Sequence, residues 1–204
     1  MITYANYASV ITEQGLKIFR YDTTFVSENG PGDIIGLVYL MNPGEARPVS
    51  EELFYQLNHQ ETATQRPVET VPDKTMARVI KFIELAYKCN NMVLPKEFTV
   101  QVENLFNIRE KNNEQAKKYA RELIHHNEIM FRHRTLEDTY SFVWIAWGKD
   151  SMGQDIENLM IKYPNAIVVN KENRNNQLRI VPYPKHPLYM NESYFLEACQ
   201  GKIM

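Results

Sequence analysis

The sequence predicts an α/β protein with three α/β/α layers around a mostly parallel sheet of four or five strands. Strand-like and helix-like segments alternate at least three times, the pattern of parallel strands joined by crossover helices. Ile34-Ile35-Gly36-Leu37-Val38-Tyr39-Leu40-Met41 is apolar almost without a break, as a strand covered on both faces must be. That run stops at Asn42-Pro43-Gly44-Glu45. There proline cannot extend a ladder, the residue before it is held extended, and glycine permits a tight turn. Such a turn falls on the carboxyl edge of the sheet, where open α/β sheets bind ligands.

Taken in order, residues 1–33 read as a preamble, residues 34–190 as the core and residues 191–204 as a closing helix, all in one domain. In the preamble, 16–21 and 23–26 are expected to pair as a short hairpin, with 27–32 a loop into the buried strand. Ser50 can cap a short helix over 50–57. Residues 58–72 are polar and without periodicity, so a mobile surface loop or a lid is expected there. Met76, Val79, Ile80, Ile83, Ala86 and Tyr87 recur at helical spacing behind Asp73, a suitable cap. Residues 98–102 form the second strand and 113–132 one long amphipathic helix. A third buried strand spans 141–147, a helix 151–163 and a fourth strand 166–169. An Asn-rich loop over 170–176 precedes a short strand at 178–181. Three prolines keep 182–187 irregular, and a small helix spans 193–200.

Length and composition set further bounds. A chain of 204 residues, 44% hydrophobic and 24% charged, buries a sizeable core without staples. No apolar run approaches a membrane span and Met1-Ile2-Thr3-Tyr4 lacks a signal-peptide pattern, so a cytoplasmic protein without a membrane partner is expected. Cys89 and Cys199 are too few and too far apart in sequence for a disulfide framework or an iron–sulfur site, and read as buried small hydrophobes. The net charge of -2 argues against a protein that coats nucleic acid, while leaving room for a local basic groove.

Three strand ends carry polar groups that a parallel sheet brings to one edge: Asn42, Asn104 with Arg109, and Gly148-Lys149. His186, flanked by prolines, is a fourth candidate, since such segments fix side-chain poses at low entropic cost. The bland alternatives are a structural turn and an exposed histidine. Gly148-Lys149-Asp150-Ser151-Met152-Gly153 fails the phosphate-loop pattern, though a helix N-terminus there could hold a phosphate. His125, His126 and His133 have no matching carboxylate or cysteine pattern, so neither a metal nor a cofactor is expected.

Several segments occur in an order that resembles a known family. They are Leu40-Met41-Asn42-Pro43-Gly44, Pro72-Asp73-Lys74-Thr75-Met76-Ala77-Arg78, Asn104-Leu105-Phe106-Asn107-Ile108-Arg109, Ala146-Trp147-Gly148 and Lys185-His186-Pro187-Leu188-Tyr189. The set resembles the uncharacterised bacterial and phage family called domain of unknown function sixteen-forty-three. More distantly the layout resembles the uracil-DNA glycosylase superfamily, which implies a fold of that kind and a nucleic acid or nucleotide as partner. On that resemblance Asn42 positions the attacking water and His186 stabilises negative charge on the departing base. Asn104 would read a base edge, and Phe54 or Tyr55 would stack on a flipped base. Pro43, Gly44, Arg109, Gly148 and Lys149 would complete the base or nucleotide site. The chain departs from the pattern at Leu188-Tyr189, where the glycosylases carry Ser. It also departs at position 42, which lacks the activating carboxylate of the uracil-specific members; Glu45 is nearby in another register. The implied function is hydrolysis of an N-glycosidic bond in DNA or a nucleotide. The alternative is a non-catalytic nucleotide- or nucleic-acid-binding module, such as a phage protein that sequesters a nucleotide.

Overall fold

The computed structural model describes residues 1–137, 139–149, 156–174 and 177–203. The apolar run becomes β3 (Ile34–Leu40). It lies between and parallel to β7 (Thr99–Asn104) and β8 (Phe142–Ile145), with Val38 opposite both Val102 and Trp144. β9 (Ile167–Val168) adds a fourth parallel strand beyond β8. These are the four core strands that the sequence predicts. Val38 and Leu40 pack with Met76, Val79 and Phe82 of α2 (Lys74–Cys89) and with Phe195 of α6 (Glu192–Cys199). Leu37 and Tyr39 pack on the opposite face with Ala116 and Ala120 of α3 (Asn113–Glu122). Helices on both faces explain why β3 shows no polar alternation.

The sheet is larger than expected and mixed. Among the described residues it has nine strands, in the order β4 (Arg47–Pro48), β6 (Val68–Val71), β1 (Ile2–Thr12), β2 (Gly15–Val26), β7, β3, β8, β9, with β5 (Thr62–Ala63) also on β1. β1 and β2 form a long antiparallel hairpin, and β2 pairs antiparallel with β7. The preamble is thus part of the central sheet and not a short hairpin over 16–26. Lys17, Arg20 and Asp22 disguise β2 as two pieces in the sequence. The strand runs on through a register shift at Asp22, whose φ is 50°, and buries Arg20 with its Nη1 against Met76 Sδ at 3.0 Å.

The polar stretch 58–72 is also paired. β5 joins β1 at Ala8 and Ser9, and β6 joins it at Tyr4 and Ala5. β4 closes that edge on β6. α1 (Glu51–His59), capped by Ser50, covers Ala5 and Tyr7 with Leu57. The helix expected over 113–132 breaks at Leu123, whose ψ is 57°, and resumes through a 3-10 turn as α4 (Asn127–Met130). α5 is described over Ile156–Lys162, and residues 151–155 of the helix expected there lie outside the described residues. β10 (Lys171–Arg174) and β11 (Gln177–Ile180) form a separate hairpin where a loop and a strand were expected. Among the described residues no helix is long and apolar enough to cross a membrane.

Candidate functional site

The turn after β3 is pinned from three sides. Asn42 donates its side-chain amide to the Glu110 carbonyl at 2.7 Å, while its Oδ1 has no protein partner among the described residues. Gly44, at φ 63°, lies so close to Asp73 that a Cβ there would collide with Asp73 Oδ2. Asp73 Oδ1 meanwhile caps α2 through Met76 N at 2.9 Å. Arg109 donates Nε to the Ala46 carbonyl at 2.8 Å and Nη2 to the Glu45 carbonyl at 2.6 Å. The Phe54 ring lies 5.3 Å from that guanidinium, and burial draws the Arg109 pKa below its ordinary value. Arg109 and Phe54 therefore clamp the turn.

His186 reaches the same edge from the proline-rich segment. Lys185 N donates to the Val169 carbonyl at 2.7 Å, and a Cβ added at Gly148 would sit in van der Waals contact with His186 Cβ. Burial pulls the imidazole pKa down to about 4, against the opposing pull of the Asp73 carboxylate. The ring is neutral at pH 7. Its Nδ1 accepts from Leu188 N at 3.4 Å, which assigns the remaining proton to Nε2 and makes that nitrogen a donor.

Two joined clefts open along this edge. One, of about 150 Å³, is lined by Asn42, Gly44, Asp73, Lys74, Lys111 and His186. The other, of about 270 Å³, is lined by Lys117, Gly148, Lys149, Tyr183, Lys185 and His186. Asn113, His186 and Tyr189 belong to both. A further cavity of about 230 Å³, by Tyr140 and Tyr163, lies at the amino end of β8 and holds none of the sequence-predicted residues.

The structure thus brings Asn42, Gly44, Gly148, Lys149 and His186 around one concave edge. Pro43 is buried under the turn. Asn104 does not join them: it ends β7 opposite Leu40, is 2% exposed, and its Oδ1 is buried without a hydrogen-bond partner among the described residues. Phe54 lines neither cleft, and Tyr55 is exposed on α1 with its ring stacked 4.0 Å from His59.

Sequence reasoning passed over several lining residues. Tyr189 is 74% exposed, lies 5.9 Å from the His186 ring and offers a flat face where the clefts meet. Asp73 read only as a helix cap. Lys74 enters the sequence reading only as part of the 72–78 segment, and Lys111 lies outside every segment singled out there. Lys117 pairs with Glu114 at 2.8 Å and Lys185 with Glu172 at 2.6 Å. Lys74, Lys111 and Lys149 have no ion-pair or hydrogen-bond partner among the described residues, and they line the clefts together with the carboxylates of Glu45, Asp73 and Glu114. Among the described residues no group of three or more His, Cys, Asp or Glu is placed to hold a metal ion.

The arrangement offers an acceptor oxygen on Asn42, a neutral donor on His186, an aromatic face on Tyr189 and three unpaired cations. It can bind a polar, anionic molecule with a planar part. Fold and site together define an α/β protein with a polar, lysine-rimmed cleft at the carboxyl edge of its parallel strands. No protein-family model, curated protein or solved structure matches the chain.

Proposed function

We propose that the protein recognises a nucleobase in this cleft and hydrolyses an N-glycosidic bond, in DNA or in a nucleotide. The observation that carries the reading is that Asn42 and His186, far apart in sequence, line one cleft. Bond breaking runs ahead of water attack. The departing base gathers negative charge, which the Nε2–H of neutral His186 stabilises without a proton transfer. Asn42 Oδ1 accepts a hydrogen bond from the attacking water and fixes its approach; the water oxygen bonds to the sugar C1′ as the C1′–N bond is lost, and the water's proton passes through solvent to the base anion. Tyr189 takes the stacking role that the resemblance implies for Phe54 or Tyr55. The resemblance to domain of unknown function sixteen-forty-three and to the uracil-DNA glycosylases belongs to this same reading.

Asn104 favours a second reading. Its amide is buried outside the clefts, so the base-edge contact implied by the resemblance needs another donor. A cleft without it suits a module that binds a nucleotide and performs no chemistry.

The two readings separate on oligonucleotides and nucleotides bearing uracil, hypoxanthine or modified pyrimidines. Alkali-labile sites or free base, lost in Asn42→Ala and His186→Ala with unchanged circular dichroism, support the hydrolase. No release from any substrate, with a nucleotide raising Tm, supports the binding module.

A further inference from the structure

Resting on the nucleobase reading, we infer that the ligand of this cleft is a free nucleotide with a di- or triphosphate, not a DNA duplex, its phosphates held by Lys74, Lys111 and Lys149. The three lysines come from three separate places in the chain: the first turn of α2, the loop before α3 and the residue after Gly148. All three line the joined clefts, all are exposed, and none has an acidic partner among the described residues. A compact polyphosphate carries several negative charges within reach of one such rim. Point-charge ammonium groups on flexible stems suit it.

The surroundings argue against a duplex. Duplex DNA presents one negative charge per roughly 1.7 Å of axis and needs a cationic track well beyond the pocket. Glu45, Asp73 and Glu114 line the clefts among the lysines, and beyond the clefts Glu51 and Glu52, which line neither, occupy the exposed first turn of α1. A phosphate backbone running on past the clefts would meet Glu51 and Glu52, and the chain as a whole is at -2. The cationic charge is local. Its reach matches a ligand that ends where the clefts end. Tyr189, at their junction, gives the base a face beside His186.

Calorimetric titration with dUTP, dITP and the four common deoxynucleoside triphosphates, their nucleosides, inorganic tripolyphosphate, and uracil-containing single-stranded and 20-base-pair oligonucleotides tests this. At least one triphosphate should bind ten-fold or more tightly than its nucleoside, with tripolyphosphate competing and the duplex not competing. The combined variant Lys74→Gln, Lys111→Gln, Lys149→Gln should reduce triphosphate affinity to that of the nucleoside. The same three-charge change at exposed Lys88, Lys96 and Lys162 should leave it unchanged. Equal affinity for nucleoside and triphosphate, tighter binding of the duplex, indifference to the cleft lysines, or no binding of any probe would each overturn the inference. Lysine-dependent triphosphate binding without base release would sink hydrolysis while this inference stands. Base release from DNA alone would do the reverse.

Discussion

His186 occupies the junction of two clefts as a neutral ring, and its burial has a measurable cost. In the unfolded chain the imidazole titrates near 6.5, whereas in the native protein it titrates at about 4. Between those values the unfolded state binds more protons, so stability rises with pH through this window and is lost as pH falls from about 6.5 toward 4. NMR titration should place the His186 midpoint near 4, and denaturation at stepped pH should show that loss shrinking in His186→Gln. Arg109 makes the opposite kind of point. The sequence offered it as a ligand contact, but its guanidinium spans two backbone carbonyls of the 42–46 turn. Arg109→Ala should cost about 3 kcal/mol in chemical denaturation, since hydrogen bonds from charged groups contribute roughly 1.5–3 kcal/mol each. Arg109→Lys should recover only part of this, because an ammonium lacks the planar fork. A strand end with polar residues was legible in the sequence. Whether each side chain faces the cleft or braces it depends on what it touches, and that was not.

At the level of elements, the N-terminus of α2 is the joint between fold and site. Asp73 caps the helix with one oxygen and presses the other against Gly44. Asp73→Ala should lose about 1 kcal/mol, whereas Asp73→Asn should keep nearly all of it, because both side chains accept from N3 equally well. Gly44→Ala should cost more than Asp73→Ala, since the new Cβ meets both a left-handed backbone and the Asp73 carboxylate. A thermal-melt series on the three variants gives the ranking. The caps at Ser50 and Asp73 and the four parallel strands were readable because their signals are local: a polar residue before a periodic run, or an unbroken apolar run. β2, β5 and β6 were not. β2 carries Arg20 inward, where Met76 and the neighbouring β1 accommodate it, and the Thr-rich β5 and β6 exist only because β1 offers an edge to pair with. Pairing across fifty residues leaves no periodic mark in a polar stretch.

The whole molecule is closed by contacts that sequence spacing hides. Phe195 of α6 packs 4.5 Å from Phe82 and 4.8 Å from Trp144, and Asn90 binds the Cys199 carbonyl at 3.1 Å and accepts from Gly201 N at 2.7 Å. In this seam the two cysteines, 110 residues apart, stand with their sulfurs 3.6 Å from each other. A sulfur shift of about 1.5 Å would bring them to the roughly 2.05 Å of a disulfide. With oxidised glutathione as oxidant, the less buried Cys89 thiolate attacks first and releases one glutathione thiol. Cys199 then displaces the second and completes the bridge. Burial pushes the Cys199 thiol up to about 12, so that second step is slow near neutrality. Mass spectrometry should therefore show the mixed disulfide on Cys89 accumulating at pH 7 and closing to a species two mass units below the dithiol as pH rises. Closing a loop of this length removes about 4–5 kcal/mol of unfolded-state entropy, so the bridged form should melt well above the reduced form. Cys199→Ala should stop at the mixed disulfide. A bridged protein that melts no higher than the reduced one would mean that joining α2 to α6 strains the seam by as much as it restrains the unfolded chain.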